Sequence, residues 1–129
     1  MIKWIPTELP GAESVIEWFG TWPSFHDAEV ISISLARSGK SVLRVYPYYP
    51  QKTATVKFVF EEITDVELSD FSPQNVIFDL NVEVAKDGNG DPIFRVILHP
   101  CFGLAGRIEA KRLEFALEPG QSPDGVSQW

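Results

Sequence analysis

The sequence contains few of the residues that build covalent or metal-bound scaffolds. Its 129 residues include one cysteine and two histidines. Because Cys101 has no partner, an intrachain disulfide is excluded, and this cysteine usage favours a reducing compartment. No segment approaches the roughly 20 consecutive apolar residues of a membrane helix, and Met1–Pro6 lacks the pattern of a signal peptide. We therefore expect a soluble, cytoplasmic protein with no membrane partner.

Basic residues are also scarce. The 11 Lys and Arg residues are outnumbered by 18 Asp and Glu residues, which gives a formal net charge of −7. A field of this sign repels phosphate backbones, so nucleic acid is disfavoured as a ligand and a basic protein partner is favoured. The length and the 44% hydrophobic content fit a single domain, residues 1–129, that buries its own core without metal.

The patterning predicts one short helix followed by antiparallel strands. Gly11 and Gly20 flank an amphipathic helix at residues 12–19. Alternating apolar residues and glycine-rich turns predict strands at 29–35, 42–46, 55–61, 75–85, 93–99 and 106–117. The acidic stretch 62–71 is either a seventh strand or irregular. The expected fold class is α+β, with about seven strands in a curved or sandwich-like antiparallel sheet and a flexible tail at 119–129.

Two strands show informative face patterns. In the strand 75–85 the apolar side chains alternate in one register, which predicts that they share a face: Val76, Phe78, Leu80, Val82 and Val84. In the last strand the apolar residues change face between Ile108 and Leu113, which predicts a β-bulge near Ala110 and Lys111.

The segment 22–29 has the densest group of polar and aromatic side chains. His26, Asp27 and Glu29 could serve as metal ligands or as an acid–base pair, with His99 as the only other histidine. Adjacent side chains point apart in extended chain, and a metal site needs more ligands than these. The residues favour a turn-bracing role, with partner contact or catalysis as alternatives. Residues 87–91 resemble the start of a calcium loop but lack its closing glutamate, so a hairpin turn is predicted.

The chain has no recognisable catalytic set. No triad or nucleophile elbow surrounds Ser24 or Cys101, so we predict no catalytic residues, no metal and no cofactor. A cluster of acids, in contrast, predicts either a solvated loop or a docking surface for a cationic partner. Its members are Glu61, Glu62, Asp65, Glu67 and Asp70. Aromatic residues could add anchors if exposed: Trp4, Trp22, Tyr46, Tyr48 and Tyr49.

Three blocks of the sequence carry a family resemblance. The run from Trp22 to Leu35, which includes Phe25-His26-Asp27, resembles the opening of small bacterial immunity proteins of polymorphic toxin systems, in particular immunity protein family fifty. Residues 66–77 and 102–119 are similar to later blocks of such proteins. The resemblance implies a cytoplasmic protein that binds and neutralises a partner toxin, and it implies no catalytic residues and no particular toxin.

The sequence thus favours a binding protein over an enzyme. The predicted contacts with a basic toxin domain are Glu61, Glu62, Asp65, Glu67, Asp70, Trp22, His26 and Asp27. Two alternatives stay open. One is a small metal-binding protein or enzyme that uses His26, Asp27 and Glu29. The other is a self-associating module, a homodimer that pairs through a sheet edge or through residues 46–49.

Overall fold

A computed structural model describes residues 7–50 and 52–120. One helix, α1 (Ala12–Phe19), precedes six strands in this part of the chain. The strands are β1 (Glu29–Ser34), β2 (Lys40–Tyr46), β3 (Ala54–Ser69), β4 (Val76–Lys86), β5 (Pro92–Phe102) and β6 (Ala105–Pro119). Every pairing is antiparallel, and the strands close into a ring in the order β1-β2-β3-β6-β5-β4.

The mostly antiparallel sheet and the short N-terminal helix are confirmed, but the strand count and the sandwich are not. The acidic stretch 62–71 forms no strand of its own, because most of it continues β3, which runs unbroken for 16 residues. Its partner β6 pairs with it along the whole length, from Ala54 opposite Pro119 to Ser69 opposite Ala105. Continuous pairing with one long neighbour therefore merges two predicted strands, and the six strands form one closed sheet.

The two long strands change their inward face together. Phe60 and Leu113 are paired and buried, and the next inward pair is Ile63 with Ala110. The spacing between these pairs is odd on both strands, so the residues that face the core switch parity there. β6 keeps the new parity, whereas the register shift after Ile63 returns β3 to the old one, with Val66 and Leu68 facing inward. Glu62, at the switch, has a left-handed backbone with φ of 57°. The predicted face change in β6 is confirmed, whereas the adjacent register shift lies in β3, between Ile63 and Asp65.

The predicted single face of β4 is wrong. Ile77, Leu80 and Val82 are buried, whereas Phe78 is 55% exposed and Val84 is 45% exposed. Register shifts flank Ile77 on the pairing with β5, so the side-chain alternation slips there. The slip turns Phe78 to the surface although it lies in phase with Leu80 in the sequence.

Helix α1 covers one part of β6. Its buried residues Ala12 and Val15 face the core, and the Phe115 N–H donates a 2.8 Å hydrogen bond to the Pro10 carbonyl just before the helix. Gly11 has φ of +86°, and a Cβ atom there would lie 1.7 Å from the Phe115 carbonyl oxygen. Only glycine therefore allows the chain to enter the helix this close to the strand.

A buried amide joins the loop before β4 to the turn between β5 and β6. Asn75, 2% exposed, accepts hydrogen bonds at Oδ1 from the backbone N–H groups of Leu104 at 2.8 Å and Ser72 at 2.9 Å. Its Nδ2 donates to the Ser72 carbonyl at 2.7 Å. These bonds satisfy buried backbone groups where no ladder partner is available, so the amide fixes this end of the barrel.

The interior of the ring is apolar. Phe25, Phe58 and Phe60 are its largest fully buried side chains, and burying each contributes about 1.5–3 kcal/mol. Pro119 and Gly120, which the sequence placed in the tail, are held against β3, since the Gly120 N–H donates to the Thr53 carbonyl at 2.8 Å. Trp4 and residues 121–129 lie outside the described residues. Within residues 7–50 and 52–120, no helix has the length and apolar character needed to cross a bilayer.

The contact between Gly11 and β6 yields a test with a matched control. Gly11→Ala should lower the free energy of unfolding by about 3 kcal/mol or more, because the new methyl group meets backbone that cannot move aside. Gly39 has a nearly identical φ of +85° but no atom within 4 Å of a Cβ position, so Gly39→Ala should cost only about 1 kcal/mol. Urea unfolding measures both, and equal losses would contradict the close approach of α1 to β6.

Candidate protein-binding site

The turn at His26 and Asp27 is fastened to β4. Asp27 has φ of 65°, and its N–H donates to the Ile77 carbonyl at 2.9 Å. His26 Nδ1 lies 2.9 Å from the Phe78 carbonyl oxygen. Because a carbonyl only accepts, Nδ1 is the donor in this hydrogen bond. Both side chains are mostly exposed, at 56% and 65%, so the turn braces the barrel while its side chains remain accessible to a partner.

The proposed acid–base and metal residues have other contacts. Glu29 accepts a hydrogen bond from the Tyr48 hydroxyl at 2.8 Å, and His99 Nε2 lies 3.2 Å from Asn81 Nδ2. Across the described residues, no three His, Cys, Asp or Glu side chains are grouped as metal ligands. His26 and Asp27 do contact each other, with Nε2 3.5 Å from Oδ2, so the expectation that these adjacent side chains point apart is wrong. Glu29 and His99 do not join them in a group that could hold a metal.

Most of the suggested aromatic anchors belong to the core or its margin. Trp22 is half-buried, with its ring centroid 4.9 Å from that of Phe115, and Tyr46 is only 6% exposed. The Tyr49 hydroxyl accepts the Ser24 N–H at 2.8 Å, which leaves Tyr48 as the exposed member among those anchors that the structure describes. The most exposed phenylalanines of the described residues were not among the anchors predicted from the sequence. They are Phe71, Phe78 and Phe102. The bulges in β4 conceal Phe78 from a pattern search, whereas Phe71 could have been suspected from its place between Asp70 and Ser72.

Four of the five acids lie at one margin of the sheet. Glu62, Asp65 and Glu67 lie in the second half of β3, and Asp70 follows its last residue with φ of 63°. Glu61 ends the first half of β3 and is paired with Lys40 of β2. Glu62 pairs with Arg112 at 3.4 Å. Glu61 and Asp70 have no ion pair with another described residue. The cluster is therefore only partly neutralised by arginines of β6.

Arg107 is the main cation beside this margin. Its guanidinium lies 2.9 Å from Asp65 and 3.3 Å from Glu67 on β3, and 3.3 Å from Glu109 on its own strand. Hydrogen bonding to Asp65 and the charge of Glu67 raise the pKa of Arg107 above its ordinary value. Asp65 and Glu109 stand opposite each other in the ladder, an unfavourable pairing of like charges. Arg107 bridges them, so it offsets a repulsion that the register creates.

The row of charges continues across the outer face of the sheet. Arg95 on β5 lies 3.0 Å from Glu109 and 3.3 Å from Glu83 on β4. At the end of the row on β4 and β5 the charges are balanced, since each acid there has an arginine beside it. The excess of negative charge lies at the other end of the row, on β3.

The end of the row on β3 is also a sheet edge. β2 accompanies β3 only as far as the pair Lys40–Glu61, whereas β6 follows β3 to Ser69. In the part of the chain that the structure describes, no strand pairs with residues 62–69 on the side away from β6. We call this stretch, residues 62–69, the free edge. Its first residue, Glu62, has a left-handed backbone, and a register shift follows between Ile63 and Asp65. From Asp65 to Ser69 the backbone is extended and is paired on one side only, with β6.

An apolar cleft lies at the end of the free edge. It has a volume of about 220 Å³ and is lined in part by Ile33 of β1, Leu68 of β3, Leu104 and the exposed Phe71. Leu68 and Ile33 pack against the core from one side. The free edge thus combines outward carboxylates, an open backbone and an adjoining apolar cleft, and the sequence anticipated only the carboxylates.

Compared with family models, curated proteins and solved structures, the chain shows no match. The resemblance to immunity proteins therefore remains a hypothesis.

The bridging position of Arg107 predicts a salt-dependent loss of stability. Arg107→Gln should lower the melting temperature at low salt, because Asp65, Glu67 and Glu109 then repel one another without a cation between them. Added salt screens this repulsion, so the difference from the parent protein should narrow as the ionic strength rises. Thermal unfolding between about 10 mM and about 1 M NaCl measures this change.

Arg37→Gln is the matched control for this experiment, since Arg37 lies in the exposed turn between β1 and β2. It should show no such narrowing. A difference for Arg107→Gln that stays constant with ionic strength would contradict the bridging role.

Proposed function

We propose that this domain is an immunity-type binding protein that neutralises a partner toxin by direct protein–protein contact in the cytoplasm. The observation that supports this best is the free edge of β3. There, outward carboxylates exceed the arginines beside them at a margin of the sheet that no described strand covers. Charge of one sign at a protein surface speeds encounter with an oppositely charged partner and sets its orientation.

The partner on this proposal is a basic toxin domain. The carboxylates near the free edge are exposed to solvent. The exposed fraction of the side chain is 55% for Glu62, 47% for Asp65 and 73% for Glu67. Exposed pairs of this kind contribute little to folding stability. They are therefore available to exchange intramolecular arginines for cations of a partner at small cost. The exposed turn of His26 and Asp27 remains a second candidate contact.

The test is protection against the protein encoded directly upstream, since immunity genes in such systems lie beside toxin genes. We expect the two purified proteins to form a stable complex, and co-expression to restore growth of cells that produce the upstream protein. The triple variant Glu62→Gln, Asp65→Asn, Glu67→Gln should weaken binding about tenfold or more, because it removes the excess negative charge.

The matched control changes the net charge equally on α1 and just before it. Glu8, Glu13 and Glu17 are exposed, so the variant Glu8→Gln, Glu13→Gln, Glu17→Gln should retain full binding and protection. No complex and no protection with the unmodified protein would contradict the proposed function. Stoichiometric metal in the purified protein, or a mass in solution that rises to that of a dimer, would favour the metal-binding or the self-associating alternative instead.

A further inference from the structure

We propose that the free edge, residues 62–69, receives an extended segment of the partner as an added β-strand in which lysine or arginine side chains alternate with apolar ones. This proposal rests on the proposed function and adds to it a binding mode and a chemistry for the partner segment. It is carried by the backbone, by the two faces of β3 and by the apolar cleft.

The free edge offers backbone groups that no described strand pairs. An edge strand presents N–H and C=O groups toward the open side, and an extended peptide can satisfy them. Beyond the register shift between Ile63 and Asp65, β6 holds residues 65–69 extended and in regular pairing. This part is about 17 Å long at the usual rise of a strand. Because this template is already ordered, the ordering cost of binding falls mainly on the partner segment.

The outer face of β3 selects cationic side chains. Asp65 and Glu67 project to the outer surface, where Arg107 of β6 approaches them from one side. Side chains on the outer face of an added strand would stand beside them on the other side, within reach of a cross-strand pair. A lysine or arginine at these positions would leave each carboxylate between two cations.

The inner face selects apolar side chains. Val66 and Leu68 turn toward the interior and are only partly buried, and Leu68 lines the cleft together with Phe71, which is 61% exposed. Successive residues of an added strand point to opposite faces, so those that alternate with the cations would lie over Val66 and enter the cleft. An apolar residue there would remove exposed hydrophobic surface from water.

Charge argues against a second copy of this chain as the occupant. Two free edges placed side by side would bring Asp65 and Glu67 of one copy against carboxylates of the other, which is unfavourable in a strand pair. The same charges prevent aggregation through the edge. A cationic segment of another protein is the occupant that turns this repulsion into attraction.

The experiment uses a defined probe. An eight-residue peptide of alternating lysine and valine is titrated into the isotopically labelled full-length protein and followed by NMR. We expect the largest amide shifts within residues 62–71 and slower hydrogen exchange at alternate amides of residues 62–69. A peptide of alternating glutamate and valine should not bind.

A second peptide separates strand addition from simple charge attraction. It has the same lysine and valine side chains but carries N-methyl groups on alternate backbone nitrogens, so one of its edges cannot donate hydrogen bonds. A peptide methylated on the edge that pairs with β3 should bind at least about tenfold more weakly than the unmodified peptide. Because either edge of the peptide could be the one that pairs, peptides with both methylation registers are measured. Equal binding by the two methylated peptides and the unmodified one would overturn strand addition.

Variants locate the site on the protein. Asp65→Asn with Glu67→Gln should weaken binding of the lysine–valine peptide about tenfold, whereas Glu13→Gln with Glu17→Gln, which changes the net charge equally on α1, should leave it unchanged. If the peptide does not bind and the Asp65→Asn, Glu67→Gln variant aggregates more than the parent protein, the proposal is overturned. The edge charges would then serve only to prevent aggregation through the free edge.

The outcomes distinguish this proposal from the proposed function. If the upstream toxin is neutralised but protects amides outside residues 62–71 from exchange, the free edge is not the binding site and the immunity role stands. If the peptide binds as a strand but no toxin is neutralised, the edge recognises cationic segments and the immunity role fails.

Discussion

The joint change of face in β3 and β6 is the constraint on which the rest of the molecule depends. Side chains of a strand alternate strictly, so a strand can line one core face only until its twist or a local irregularity turns it. Here both long strands turn between the pair Phe60–Leu113 and the pair Ile63–Ala110, and β3 turns back at its register shift after Ile63, so that Val66 and Leu68 face inward. The first half of β3 and the last half of β6 then form a ladder beside β2, and their other halves form a ladder beside β5.

The free edge is a consequence of this change. β2 is short and follows β3 only up to Glu61, while β3 continues with β6 into the other half of the sheet. A ring made from strands of unequal length must leave part of its longest strands uncovered on one side. On β6 the corresponding part is approached by Pro10 and α1. On β3 it carries outward acids in place of a covering element, and charge is one of the ways in which proteins protect an open edge.

The charged row on the outer face follows the register of the same strands. Asp65 and Glu109 face each other because a register shift lies between Ile63 and Asp65, and Arg107 and Arg95 balance them. Such exposed pairs stabilise a fold only slightly. Their arrangement nevertheless decides where uncompensated negative charge remains, and it remains at the margin where the backbone is open.

The helix at residues 12–19, the hairpin turns, most of the strands and the acidic composition of residues 61–70 can be read from the sequence, because they depend on local propensity and periodicity. The sequence could not reveal that residues 62–69 continue β3, that Phe78 points outward, or that Trp22 packs against Phe115. Each of these depends on which strand lies alongside and where the register slips. Pairing between distant segments, such as β3 with β6, sets the face and the neighbours of every side chain, and that pairing exists only in the folded chain.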